Sequence, residues 1–185
     1  MKLNVNYLKA AALAAGKEEV RYYLKGVAIQ ASDKGVFIVA TDGHRAVAFR
    51  QDETYEDPPF SIIIPLEAIN AMKTKEETVE LIDNGQHVWH VGNVMFTPID
   101  YTYPDWRRIV PKETSGEIAQ FNAGYVGDFA KIAKTLGKGT PVHIAHNGYG
   151  ASLVTFGRDV DGFGLLMPLM RQGQVITNTA PDWAL

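Results

Sequence analysis

The sequence predicts an α+β protein built from three copies of one βαβββ unit. Three observations predict it. A strand-like stretch runs straight into a helix-like stretch at Val5/Asn6, Ile64/Pro65 and Phe121/Asn122, at intervals of a little under 60 residues. Each junction carries a helix-start residue, Asn or Pro. Behind each helix come short alternating apolar segments separated by turn residues. A repeat of this length points to one supersecondary unit duplicated, with neighbours extending a common sheet.

In the first unit, residues 3–5 alternate, and the pattern from Tyr7 to Ala15 puts Leu8, Ala11, Ala12 and Ala15 on one helical face. Asn6 caps its start and Gly16 ends it. Strands are expected at 20–29, 36–40 and 45–49, with turns at Asp33-Lys34-Gly35 and Thr41-Asp42-Gly43-His44. The acidic, proline-bearing stretch from Gln51 to Pro59 reads as a loop. In the second unit, a strand at 60–64 leads to Pro65, which opens a helix through Leu66, Ile69 and Met72. Strands follow at 79–82, 87–91 and 94–98, and Asp83-Asn84-Gly85 is a hairpin signal. In the third unit, a strand at 117–121 precedes a helix capped by Asn122, carrying Val126, Phe129, Ile132, Ala133 and Leu136 and ended by Gly137 and Gly139. Its strands fall at 142–145, 152–156 and 163–167. The tail 172–185 lies outside the pattern.

Between the second and third units runs Tyr101-Thr102-Tyr103-Pro104-Asp105-Trp106-Arg107-Arg108-Ile109-Val110-Pro111. Its prolines favour an extended connector. Two readings stay open: an ordered loop whose aromatics fill the core, or one wall of a binding site between two structural units.

Composition sets the outer bounds. With 185 residues, 46% hydrophobic and 21% charged, the chain suits one large soluble domain or two small ones. No apolar run is long enough to cross a membrane, and the N-terminus lacks the apolar core of a signal peptide. The absence of cysteine excludes disulfides, thiolate nucleophiles and cysteine-ligated zinc, and suits a reducing cytoplasm. A net charge of −3 does not indicate a strongly basic nucleic-acid binder, though a local basic surface remains open. His87/His90 and His143/His146 sit at odd separation on expected strands, so each pair points to opposite faces and a shared metal is not expected. Asp42, His44 and Arg45 form a charged cluster without a nucleophile elbow or phosphate loop. No enzyme, metal or cofactor is expected.

Four motifs occur in one family's order: Val20-Arg21-Tyr22-Tyr23-Leu24-Lys25-Gly26, Ala40-Thr41-Asp42-Gly43-His44-Arg45-Ala46, Tyr103 through Pro111, and Leu166-Met167-Pro168-Leu169-Met170-Arg171. Together with the repeat, they resemble the bacterial sliding clamp, the β subunit of DNA polymerase III. The resemblance covers roughly residues 3–171 and implies the DNA-clamp fold. Residues 1–110 resemble the middle clamp domain, with units 1–58 and 59–110. Residues 111–171 resemble the C-terminal half of the last domain. Three units stand where the family's subunit has six. Twelve units form the bacterial ring, so encircling DNA implies a homo-oligomer. An odd count breaks head-to-tail alternation, whereas two third units joined by a two-fold would rebuild a domain.

The family binds short linear peptides of polymerases and the clamp loader between its middle and last domains. The positions matching that pocket are Leu24, Thr41, Gly43, His44 and Arg45 from the first unit, Pro104, Arg108 and Ile109 from the linker, and Leu165, Met167, Pro168 and Leu169 from the end. Leucine, isoleucine and methionine offer an adaptable surface to a peptide's apolar anchors. Arg45 and Arg108 suit peptide carbonyls or an acidic flank. Ala46 stands where the family has a larger aliphatic residue. The resemblance also implies sequence-independent contact with double-stranded DNA: Tyr22 and Tyr23 match residues near the duplex, and Lys131, Lys134 and Lys138 share one face of the third helix. The same lysines also suit a plain solvated face. A non-encircling decoy or adaptor that competes with a host clamp for its peptides is the alternative function. The tail, ending in Pro181-Asp182-Trp183-Ala184-Leu185, either folds into the pocket or frays.

Overall fold

The computed structural model describes residues 1–18, 20–51, 55 and 58–169; the expectation for the tail lies outside them. The first unit comprises β1 (Lys2–Asn4), α1 (Val5–Ala12), β2 (Gly26–Ser32), β3 (Gly35–Thr41) and β4 (Arg45–Gln51). The second comprises β5 (Phe60–Pro65), α2 (Leu66–Ala71), β6 (Thr78–Asp83), β7 (Trp89–Val91) and β8 (Val94–Phe96). The third comprises α3 (Ala123–Leu136), β9 (Val142–Ala145), β10 (Ser152–Phe156) and β11 (Gly162–Leu166).

The first two units exchange their leading strands: β1 pairs with β6, and β5 with β2. The result is one four-stranded sheet, β1-β6-β7-β8, and one seven-stranded sheet, β5-β2-β3-β4-β11-β10-β9. The third unit joins the larger sheet through β11, which lies antiparallel to β4 with Leu165 opposite Ala46 and Leu166 opposite Arg45. Strand alternation divides the large sheet into two faces. On one, Ile38, Val47, Phe49 and Leu166 meet Leu8 of α1 and Phe129 and Ile132 of α3. On the other, Ala28, Val39, Ala48 and Ile63 lie beneath Leu24, Tyr103 and Trp106. The linker therefore covers the face away from the helices.

Several boundaries differ from expectation. Helix α1 starts two residues early because Asn4, not Asn6, caps it, its side chain accepting from the Tyr7 N–H at 3.1 Å. It ends at Ala12, and Leu13, Ala14 and Ala15 wind into tighter turns through bonds to Ala10, Ala11 and Ala12. The strand expected at 20–29 begins only at Gly26, because Tyr22–Leu24 forms a short 3-10 turn. His87 lies in a hairpin loop with φ 63°, so β7 starts at Trp89. Residues 117–121 form no strand: the Gly148 N–H donates to the Glu117 carbonyl and the Leu169 N–H to that of Gln120, without a ladder. Val126, assigned to the apolar face of α3, is 37% exposed. Among the described residues, no helix is long and apolar enough to cross a membrane.

Two glycines test this packing with opposite signs. A Cβ on Gly26 would lie 2.6 Å from both the Ile63 side chain and the Ile64 carbonyl, so Gly26→Ala strains the β2–β5 ladder. A Cβ on Gly127, inside α3, meets nothing within 4 Å. Urea unfolding should show Gly26→Ala destabilised by about 1–3 kcal/mol and Gly127→Ala stabilised by up to about 1 kcal/mol.

Candidate functional site

The β3–β4 hairpin is a closed hydrogen-bonded loop. The Asp42 carboxylate accepts from the His44 and Arg45 N–H groups at 2.8 and 2.9 Å. The Thr41 hydroxyl donates to the Arg45 carbonyl at 2.7 Å and accepts from the Gly43 N–H at 3.0 Å. Gly43 has φ +90°, a conformation that favours glycine, and the Arg21 guanidinium crosses closely above it. The hairpin tip thereby holds His44 exposed beside the end of β11, where the Met167 N–H donates to the His44 carbonyl at 2.9 Å.

The linker is pinned beside this hairpin. The buried Tyr103 hydroxyl accepts from the Thr41 N–H at 2.9 Å, and burial pushes the phenol's pKa up, the Thr41 bond opposing that shift. The Trp106 indole donates to Gln30 at 3.1 Å. Arg107 also donates to Gln30, at 3.0 Å, and lies over the Trp106 and Phe37 rings. Pairing registers then align Thr41, Ala46 and Leu165 in one row across three strands, next to the Val39–Ala48–Phe163 row under the linker. Leu24 joins this face. Of the remaining expected residues, Gly43, His44, Pro104, Arg108, Ile109, Met167 and Leu169 are exposed and Pro168 is half-buried.

Arg45 is placed differently from the linker-side residues. It alternates with Ala46, so its side chain turns to the helix face, where it is buried. It bonds Asp128 of α3, donates to the Leu13 carbonyl at 3.0 Å, and lies over the Tyr125 ring. It thus ties the third unit to the first. Burial pushes the Asp128 carboxyl up, but bonds from Lys131 and Arg45 outweigh it and hold the carboxyl below its ordinary range. A cavity of about 300 Å³ beside this pair is lined by Leu24, His44 and Arg45 together with Glu18, Tyr125 and Asp128, and by no linker residue.

The residues expected near DNA fall in two places. Tyr22 and Tyr23 cluster with Tyr101 of the linker, Tyr23 stacking on it at 4.2 Å. Lys131 and Lys134 are exposed on α3, Lys131 bonding Asp128 at 2.7 Å. Lys138 is not on their helical face, because Gly137 ends α3 with extended backbone. On the helix layer, Lys9, Lys17 and Lys131 border a depression of about 480 Å³ between α1, α2 and α3. Sequence reasoning missed three positioning residues. Tyr103 was legible only as a linker aromatic, and Tyr125 and Asp128 carried no signal beyond lying on an expected helix.

Residues 2–105 match the family described as DNA polymerase III beta subunit, central domain. The beta sliding clamp of Proteus mirabilis is 32% identical over 103 residues, covering 51% of this chain and 28% of that protein. That of Escherichia coli K12 is 28% identical over 118 residues, covering 57% and 31%. The chain thus spans about a third of the length of these relatives. Among solved structures, DNA polymerase III subunit beta from Pseudomonas aeruginosa superimposes with a TM-score of 0.73 at 17% identity, covering 91% of this chain and 66% of that one. The subunit from Borrelia burgdorferi gives 0.75 at 15%, covering 91% and 63%. The fold is the DNA-clamp fold over nearly the whole chain.

Two substitutions test the geometry. Tyr103→Phe leaves the buried Thr41 N–H without its acceptor and should cost about 1–3 kcal/mol in denaturant unfolding. Asp128 has a depressed carboxyl pKa, so its contribution is present above the ordinary carboxylate range and lost as pH falls through the folded value. Asp128→Asn should therefore be less stable than the parent at pH 7, with the gap narrowing in acid.

Proposed function

From the chain's membership in the DNA polymerase III beta subunit family, the bacterial sliding clamps, we propose that it is a clamp-like replication accessory protein. In this reading it works in the cytoplasm, without catalysis. It binds short linear peptides of DNA polymerase and clamp-loader subunits, and copies of it assemble around double-stranded DNA. Residues 1–110 serve as a complete clamp domain and 111–171 as a half domain.

The observation that carries the reading is the surface where the linker meets the end of the large sheet. Thr41, Ala46 and Leu165 share one row there, and Leu24 lies on the same face. Ile109, Met167 and Leu169 remain 50, 37 and 38% exposed. Exposed aliphatic side chains suit the leucine and aromatic anchors of a peptide. Ala46 in the row leaves room for such an anchor. His44, Pro104, Arg108 and Pro168 form the rim, whereas Arg45 supports the fold from the opposite face.

DNA contact falls to the helix layer, where Lys9, Lys17 and Lys131 border one depression and Lys134 stands exposed. With a net charge of −3, the hold is local, sequence-independent and weakened by salt. Tyr22 and Tyr23 join this role only from the linker side. No observation favours the decoy reading.

Fluorescence polarisation with a labelled clamp-binding peptide should show saturable binding. Met167→Asp and Ile109→Asp, both at exposed positions, should each weaken it about tenfold or more. Unchanged affinity in both variants refutes the pocket. Retention on circular DNA with release on linearisation separates a ring from a decoy, which is retained on neither.

A further inference from the structure

The third unit lacks half of the exchange that organises the first two. There, each leading strand leaves its own unit and adds to the other, in the same register both times. The residue that caps the next helix, Asn4 or Pro65, sits opposite the first residue of the receiving strand, Thr78 or Gly26. The third unit's leading segment, residues 117–121, joins no strand. Its receiving strand, β9, ends the large sheet. An end strand presents a row of unpaired N–H and C=O groups.

Helix α3 has a bare flank as well. Asp128, Lys131 and Thr135 border the depression beside α1. Helical spacing puts Ala123, Val126 and Ala130 on the other flank, and all three are exposed. Phe121 completes the pattern. It precedes the cap as Leu3 and Ile64 do, and those two are fully buried, whereas Phe121 is only partly so.

We infer that the missing half is a second copy of this chain, joined about a two-fold axis. Residues 117–121 of each copy add to β9 of the other, and the α3 helices pack flank to flank. Both the unmatched segment and the unmatched edge belong to this chain, so one symmetric contact satisfies both in both copies. The register of the first two units places Asn122 opposite Val142 and Gln120 opposite Ile144. Within one copy, bonds from Gly148 and Leu169, from the Gly116 N–H to the His146 carbonyl and from the Ala119 N–H to the His146 ring hold the segment just past the end of β9, and β9 itself pairs only with β10. The inference names the surface for the self-assembly proposed above, but it does not depend on DNA or peptide binding.

Sedimentation equilibrium of the full chain at micromolar concentration should give twice the 20.4 kDa monomer mass, or a multiple of it. Val126→Glu with Ala130→Glu, both at exposed helix positions, should return a folded monomer by circular dichroism and sedimentation. The chain has no cysteine, so Gln120→Cys with Ile144→Cys should give a covalent dimer on oxidation, seen in a non-reducing gel. A monomeric parent, an oligomer unmoved by the glutamates, or an oligomer without that covalent dimer overturns the contact. A dimer that is cross-linked as expected but not retained on circular DNA keeps the contact and overturns only the ring.

Discussion

The ladder between β4 and β11 places everything the third unit contributes. β3 already occupies one edge of β4, so only the other is open, and β11 fills it over five residue pairs from Gly162↔Phe49 to Leu166↔Arg45. Register decides which side chains reach which face, and a slip of one residue would reverse them all. As paired, Phe163 and Leu165 turn toward the linker, while Leu166 turns toward the helices. Gly164 is required by the same arrangement, since a Cβ there would lie 2.4 Å from the Phe129 ring. That glycine lets α3 settle on the sheet and bring Asp128 within reach of Arg45.

The ion pair is better understood as a locator than as a source of stability. A buried pair recovers little more than its desolvation penalty, but leaving one partner alone is costly. Arg45 meets Asp128, the Leu13 carbonyl and the Tyr125 ring together, so it senses the first helix and the third at once. The linker is fixed independently on the opposite face by Tyr103 and Trp106. The row of Thr41, Ala46 and Leu165 thus lies between these two anchors, and Tyr103 bonds it directly at Thr41.

Much of this was legible in the sequence, because the repeat, the helix starts and the turns are local signals. The misreadings share a physical cause. Strand alternation sends Arg45 to the helix face, where it shares a cavity with Leu24 and His44, and no local signal announced its partner 83 residues away. The aromatics before Gly26 alternate like a strand, yet the same spacing fits a 3-10 turn. Lys138 fits the helical period, but the helix stops at Leu136. Residues 117–121 are the most instructive case. Their pattern suits a strand, but among the described residues the segment joins no ladder and is held instead by single bonds to His146, Gly148 and Leu169.

The antiparallel join of β4 to β11 brings the last strands of two units together, and β8, the last strand of the second unit, ends its sheet among the described residues. Closing the proposed assembly into a circle through two-fold contacts would leave it no top or bottom. A two-fold between neighbours in a circle must lie in its plane, so each chain is turned over relative to the next. The proposed docking surfaces would then open alternately on the two sides of the circle. Such an assembly would have no polarity, and a partner arriving from either direction along the DNA would meet a surface facing it.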